Sequence, residues 1–525
     1  MGAPELNHRL TSLDASFLYL ENERAPLHIG ATTILEGELD IEALKRDLNS
    51  KMHLIPRYRQ RVIFAPYNIG HPTWEDDPDF DINNHVVPVR LAAPGSEAQL
   101  RRVAAKLFAG MMDRSKPLWK VYVVQGLENG NTAVVWLVHH CMVDGVSGAA
   151  LLSVILDPTP DPKPIEAPPY EPAPAPDSSK VLVDALWGNV VDQLQNATEL
   201  QNNLLNYAKG FRGSQLVDAM RELPGVLRDL LKPVPRLPFN SRSLSGKRKL
   251  SWSACSFADA RGIRSELGGT VNDVILTALG GAVRRYMTLH GKRIRKRDTL
   301  RVMVPVSVRR EDERGTLGNR VSVLPVDVPL GMEDPVERMR AVTERTSILK
   351  KHRVADGLNL FMHAWAGALP PVQAALGGAA FAAPLQGVLG LAMPSPGLHM
   401  VCTNVPGPQI PLYMLGNRML AHYPLVPVAP GMGLNMAVFS YNQRIHFGFV
   451  ADSAAAPDAA RFNKFFDQCF VELREAAGVR QSEIIEIAAA RKLPKKAVPK
   501  RASAGSNGSS TESGSDTPKS QSLAG

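Results

Sequence analysis

AVVWLVHHCMVDGVSGAALLSVIL, Ala133 to Leu156, runs an apolar stretch straight into polar residues and then into a second apolar pattern. Ala133–His140 reads as a buried strand, and Val146–Leu156 as an amphipathic helix. A Glu128-Asn129-Gly130 turn precedes the strand and predicts a hairpin with Leu118–Leu127. HHCMVDG, His139 to Gly145, therefore lies where a strand ends and a helix begins, a place where rigid elements hold side chains at a cleft. Histidine can accept and return a proton near neutral pH, so a general base is the role these residues suit. Neighbouring strand residues point to opposite faces, so one of His139 and His140 reacts while the other braces. Asp144 can fold back to orient the loop or the imidazole, and Gly145 permits a tight turn or close backbone approach. His139, His140, Cys141 and Asp144 do not have converging ligand spacing, so no metal is expected. Cys141 reads as a small buried hydrophobe.

Outward from this stretch the chain divides at DPTPDPKPIEAPPYEPAPAPD, Asp157 to Asp177, whose nine prolines forbid a helix or a central strand. Residues 1–157 form the first expected domain, 158–240 the linker with a helical insert over Val181–Leu231, and 241–482 the second domain. Strands are expected at Leu27–Gly37, Arg301–Val308, Val321–Val328, Met400–Thr403, Asn435–Tyr441 and Ile445–Val450. Helices are expected at Ile41–Met52, Glu97–Met112, Val271–Leu289 (capped by Thr270 or Asn272), Pro335–Lys350 and Ala459–Glu475. Strand clusters with interposed helices in both halves suggest two similar α/β sandwiches.

The 525 residues carry 44% hydrophobic and 21% charged side chains, a composition that buries a core without disulfides. Four scattered cysteines and a first 25 residues without a signal-like apolar run favour a reducing cytoplasm. Gly357–Asn417 contains no Asp, Glu, Lys or Arg, yet its prolines leave no piece near the ~20 residues of a bilayer crossing. It reads as helices that are buried or lie on an apolar surface. Net charge is +9, and residues 491–525 alone contribute +5 (seven basic, two acidic). That Ser/Gly/Lys/Pro-rich tail, residues 483–525, is expected to be disordered, either solubilising the chain or adhering to anionic lipid. The basic run Arg284–Asp298 comes with no recognised nucleic-acid module, so no nucleic-acid partner is expected.

HHxxxDG with Val138, Val143, Ser147 and Gly148 resembles the signature of CoA-dependent acyltransferases of the chloramphenicol-acetyltransferase-like fold, shared with condensation domains of peptide synthetases. LTSLDASFLYLE (Leu10–Glu21), LHIG (Leu27–Gly30), PLW (Pro117–Trp119), LPFNSRSLSGKRK (Leu237–Lys249), TVNDVILTALGGAVRRY (Thr270–Tyr286), GNRVS (Gly318–Ser322) and TNVPGP (Thr403–Pro408) are together similar to the bacterial wax ester synthase/acyl-CoA:diacylglycerol acyltransferases. The resemblance implies an α/β fold of two chloramphenicol-acetyltransferase-like domains with the active site in a channel between them. It implies that His140 is the general base, with His139, Asp144 and Gly145 orienting or structural. Pro117, Leu118, Trp119, Asn272 and Asp273 would lie near the channel, and TNVPGP would make a rigid turn at the domain interface. Fatty acyl-CoA would be a substrate, leaving no cofactor, and diacylglycerol or a long-chain alcohol the acceptor, met at a membrane or lipid-droplet surface where the protein sits peripherally. A condensation-type enzyme and a non-catalytic lipid-surface protein are the alternatives. The first expects carrier modules for which this chain has no room, and the second sits poorly with intact His140 and Asp144.

Overall fold

Two six-stranded sheets dominate the computed structural model, which describes residues 8–142, 151–174, 198, 235–241, 243–307, 321–351, 371 and 397–483. In chain order the strands are β1 (His28–Leu35), β2 (Gln60–Ile63), β3 (Thr73–Asp76), β4 (Val86–Arg90), β5 (Trp119–Gln125), β6 (Thr132–His139), β7 (Arg248–Ser256), β8 (Thr299–Ser307), β9 (Val321–Pro329), β10 (Met400–Pro406), β11 (Tyr413–Met414), β12 (Asn417–Leu425), β13 (Leu434–Tyr441) and β14 (Arg444–Asp452). The helices are α1 (Ser12–Leu20), α2 (Ile41–Lys51), α3 (Glu97–Phe108), α4 (Phe257–Leu267), α5 (Val271–Leu289), α6 (Pro335–Lys351) and α7 (Ala459–Ala476). The described residues all fall within one compact unit, 1–489.

The first sheet runs β11-β12-β1-β6-β5-β4 and the second β7-β14-β13-β10-β8-β9, while β2 and β3 form a separate ribbon. β5 and β6 pair antiparallel across the Asn-Gly turn, where Gly130 takes a φ of +72° that suits glycine. β6 is buried along almost its whole length, as its run of apolar residues requires. In the second sheet β10 lies parallel to both β8 and β13. Helices α5, α6 and α7 cover that sheet, and α5 is buried on nearly all sides. A Cβ on Gly280 would stand 2.5 Å from Val328 Cγ1, and one on Gly281 would stand 2.8 Å from Cys469 Sγ, so these glycines let β9 and α7 approach the helix.

The first sheet is completed by a strand from late in the chain. β12 pairs antiparallel with β1, Gly30 opposite Leu425 through Leu35 opposite Met419. From β12, His422 Nδ1 lies 2.9 Å from Thr33 Oγ1, and Tyr423 stacks on Trp252 of β7 at 5.2 Å. Trp252 Nε1 donates to Glu97 Oε1 at the start of α3, and Arg101 donates to the Trp252 carbonyl. One hydrophobic core thus contains Leu18, Leu100 and Leu137 from the first half with Leu250, Trp252, Leu425 and Val450 from the second.

Several expectations change in detail. Thr403–Pro406 is strand rather than turn: β10 pairs through Pro406, whose missing N–H is tolerated at the strand's last residue. The chain bends only at Gln409 and Ile410, past Gly407, where a Cβ would lie 2.2 Å from Phe439 Cζ. α3 ends at Phe108, before Gly110, rather than reaching Met112. Thr270, not Asn272, caps α5: its hydroxyl accepts the Asp273 N–H and Asp273 reaches back to the Thr270 N–H, a reciprocal capping box. Over 158–174 the proline-rich segment forms no helix or strand and is stapled to the ribbon, with Tyr170 donating to the Asp77 carbonyl under the Arg59 guanidinium. The helical insert at 181–231 and most of Gly357–Asn417 lie outside the described residues. Among the described residues no helix is long and apolar enough to cross a membrane.

Gly448 on β14 tests the packing of β12 against the second sheet, because a Cβ there would stand 1.8 Å from the Pro424 carbonyl oxygen. Gly448→Ala is expected to destabilise by about 1–3 kcal/mol or more, whereas overpacking does not act at Gly110, whose φ is not left-handed and where a Cβ would meet only the Leu107 carbonyl oxygen at 3.7 Å. Thermal melts of the two alanine variants check this, and equal losses would contradict the close approach.

Candidate active site

The two histidines occupy different environments at the end of β6. His139 is the last strand residue, opposite His28 of β1, with its N–H donated to the Leu118 carbonyl. Its side chain is fully buried, and its Nδ1 accepts the Cys141 N–H at 3.2 Å. In the neutral ring the proton therefore sits on Nε2, 3.4 Å from Glu21 Oε1. His140 follows the strand, is half-buried, and donates its N–H to the Leu27 carbonyl at 3.0 Å. Its ring lies flat on Phe17 of α1, centroids 4.0 Å apart and planes 15° from parallel. The Leu27 bond, one register position past the last strand pair, holds the His140 backbone, and the Phe17 stack holds its ring.

Beside the His139 ring stands Glu21, the residue that closes α1, with its side chain buried. Burial alone would raise its pKa. The bond and charge of His139, the Leu27 N–H and the Arg114 guanidinium outweigh that and hold the carboxyl down at about 2. Leu27 N–H donates to Oε1 at 2.9 Å, and Arg114 Nη2 donates to Oε2 at 2.9 Å and to the Leu18 carbonyl at 2.9 Å. The backbone of Leu27 is therefore a double strap: its N–H is bonded to the carboxylate and its carbonyl receives His140. Deeper still, burial lowers His28 to about 4, and its Nε2 donates to the Phe108 carbonyl at 2.8 Å as a neutral ring. Burial also pushes the Cys141 thiol well up, which keeps it protonated and unsuited to nucleophilic attack.

The remaining candidates are placed as follows. Leu118 is fully buried and its carbonyl holds His139. Pro117 is buried beside it. Trp119 is buried, stacks on His85 at 4.3 Å and donates its indole N–H to the Tyr58 carbonyl at 2.8 Å. Asp273 is buried, with its carboxylate accepting from Thr270 and from the Thr346 hydroxyl of α6. Asn272 is half-buried, and its Oδ1 has no partner among the described residues. Asp144 and Gly145 lie outside the described residues, as do Gly318–Arg320. Thus His139, His140 and Leu118 come together, while Asp273 serves the helix layer of the second sheet. Sequence reasoning missed the roles of Phe17, Glu21, Leu27 and Arg114. The one signal for Glu21 was an acidic residue ending an otherwise apolar helix.

Residues 10–275 match the family of the wax ester synthase/diacylglycerol acyltransferase catalytic domain, and residues 317–474 match the family of its C-terminal domain. A probable diacylglycerol O-acyltransferase of Mycobacterium tuberculosis strain H37Rv is 32% identical over 475 residues, 89% of this chain and 96% of the relative. Among solved structures, the wax ester synthase/diacylglycerol acyltransferase of Marinobacter aquaeolei VT8 superposes with a TM-score of 0.61 at 22% identity, covering 90% of this chain and all of that one. The first condensation domain of the calcium-dependent antibiotic synthetase superposes with a TM-score of 0.56 at 15% identity, covering 92% of this chain and 98% of that one. These likenesses carry the fold, two chloramphenicol-acetyltransferase-like α/β halves.

Glu21→Gln should keep the Leu27 and Arg114 contacts sterically possible while removing the charge. The folded carboxyl, at about 2, lies below its ordinary 4.5, so its contribution is fully present above about pH 4.5 and is lost as pH falls toward 2. The variant should melt below the wild type at neutral pH, with the gap narrowing over that acid window. A gap that does not change from pH 7 to pH 3 would contradict the assignment.

Proposed function

The chain belongs to the wax ester synthase/diacylglycerol acyltransferase family, and on that premise we propose how its residues divide the work of acyl transfer. It is an O-acyltransferase that moves a fatty acyl group from acyl-CoA to a lipid hydroxyl. Diacylglycerol is the acceptor, the reading its 32%-identical relative supports, and a long-chain alcohol is accepted as a second substrate. The observation that carries the mechanism is the pairing of a half-buried His140, held by Leu27 and Phe17, with a fully buried His139 held against Glu21.

His140 takes the acceptor's hydroxyl proton as the oxygen attacks the thioester carbonyl. The C–S bond then breaks, and the proton passes from the imidazolium to the departing thiolate of coenzyme A. Atoms balance without a covalent acyl-enzyme and without another cofactor. The developing oxyanion requires hydrogen-bond donors, and the backbone near Gly145 or the amide of Asn272 supplies them. Asp144 has an orienting role beside the base, Pro117, Leu118 and Trp119 keep β5 packed next to it, and Asn272 stands at the channel while Asp273, buried in the cap of α5, holds that helix in place. The acceptor partitions into lipid, so the protein works on the cytoplasmic side of a membrane or on a droplet surface. Its basic tail is attracted there at up to ~1 kcal/mol per basic residue.

His140→Ala should reduce acyl transfer by ~10²–10⁴-fold with little change in melting temperature. Radiolabelled palmitoyl-CoA offered with diacylglycerol measures this, and retention of more than about a tenth of the wild-type rate rules out the base assignment. Truncation after Ile487 should leave activity on dispersed substrate nearly unchanged while weakening binding to anionic vesicles at low salt, because charge attraction is screened over ~8 Å at physiological ionic strength. Co-sedimentation across a salt series checks the second expectation, and superimposable curves would reduce the tail to a solubilising appendage.

A further inference from the structure

The ribbon β2–β3 carries a loop, residues 64–72, whose two legs are fastened to the supports of the histidines. On the first leg Phe64 lies under the Arg114 guanidinium at 5.7 Å, and Arg114 is the cation on Glu21. On the second leg His71 is buried, with Nε2 2.9 Å from the Ser12 hydroxyl and Nδ1 3.5 Å from the Tyr19 hydroxyl, both on α1. α1 is the helix whose Phe17 bears the His140 ring. Pro72 accepts the Leu10 N–H just ahead of α1, which completes the attachment.

The apex between these legs is strained and projects into solvent. Tyr67 has a φ of +53° and Asn68 one of +52°, in the left-handed region. Asparagine tolerates that region, but a bulky aromatic residue does so at a cost of roughly 1–2 kcal/mol. Among the described residues no side-chain contact of Tyr67 offsets it. The Tyr67 side chain is 94% exposed and makes no hydrogen bond or ring contact among the described residues. Strain that internal contacts do not offset is expected where a side chain is displayed for an external partner.

We propose that Tyr67 is the point at which the protein enters the interfacial zone of the lipid surface that holds its acceptor. This rests on the lipid-acceptor reading above and goes beyond it by naming the contact. A single exposed side chain offers far less than the ~1,000 Å² a stable protein interface requires, so a protein partner does not fit. A tyrosine with an apolar ring and a polar tip suits the headgroup level of a lipid layer, where one end is apolar and the other wet. Because the legs rest on α1 and Arg114, an apex seated in lipid holds the supports of His139 and His140 at a fixed height above the acceptor. The contact is apolar, so it persists in salt that screens the tail.

The test uses the full-length chain with phosphatidylcholine vesicles doped with diacylglycerol, at high salt. Tyr67→Gly relieves the left-handed strain, so its melting temperature should equal or exceed that of the wild type while vesicle binding weakens roughly threefold to tenfold. Tyr67→Trp should bind at least as well as the wild type. The KM for vesicle-borne diacylglycerol should rise in the glycine variant, with kcat and turnover of a dissolved short-chain alcohol unchanged. Wild-type vesicle binding by Tyr67→Gly overturns the proposal. So does a drop in melting temperature together with an equal loss on the dissolved alcohol, which would make Tyr67 a structural residue. Absence of turnover by the wild type on every acceptor would instead count against acyl transfer, and the binding arm would still decide the lipid contact.

Discussion

The pairing of β1 with β12 is the constraint on which the rest depends. β1 sits between β12 and β6, so the strand that positions the histidines is stabilised on its far side by residues nearly 400 positions later in the chain. Without β12, β1 would present a row of unpaired backbone groups as an edge, and Leu27, which holds Glu21 and His140, would extend from a strand bonded on one side only. The site near the chain's start is therefore completed only when the second half has folded. The shared core of Leu18, Leu137, Leu250, Trp252, Leu425 and Val450 gives that dependence a hydrophobic basis.

Charge burial follows the same geography. Arg248 at the start of β7 is almost wholly buried, donating to Asp452 Oδ2 at 3.1 Å and to the Arg24 carbonyl at 2.6 Å. Asp452 also accepts from Ser245, Ala454 and Ala455. Removing one partner of such a pair costs about 3–5 kcal/mol, because the other is left buried and uncompensated. Arg248 thus fastens the middle of one short segment, Glu21 through Leu27, to the second sheet at Arg24, while the Glu21 carboxylate ties its two ends together beside His139. A fully buried ion pair is a poor source of net stability but a strict test of geometry. Here it fixes where the segment runs before β1 begins.

The strands and helices with strong periodicity were legible in the sequence. β1, β5, β6, β13, β14, α2, α5, α6 and α7 appear within a few residues of their expected bounds, because each buries a continuous or regularly spaced apolar face. The elements that escaped notice bury irregular or polar faces. β12, NRMLAHYPL, carries Asn417, Arg418 and His422, and its buried positions do not alternate, since it faces the first sheet's layer on one side and β14 on the other. β7, RKLSWSACS, reads as polar until Arg248 finds Asp452. α1 is short and ends in a carboxylate that only its tertiary partners make reasonable. In the site, the two histidines were visible as residue types, but their supports at Glu21, Leu27 and Arg114 lie far apart in sequence, and no local pattern joins them.

The different fates of His139 and His140 follow from what holds each ring. The Leu27 carbonyl that receives the His140 N–H stands one register position beyond His28 opposite His139, so β1 still holds the backbone at His140 while the face of Phe17 holds its ring. Parallel stacking on Phe17 covers a face of the His140 ring and sets its plane, whereas burial of His139 on all sides holds its nitrogens at Cys141 and Glu21. Proton transfer requires a base with an accessible nitrogen in a fixed direction. A strand end provides the fixed direction through the backbone, and a helix lying across it provides the flat surface that keeps the ring from turning away.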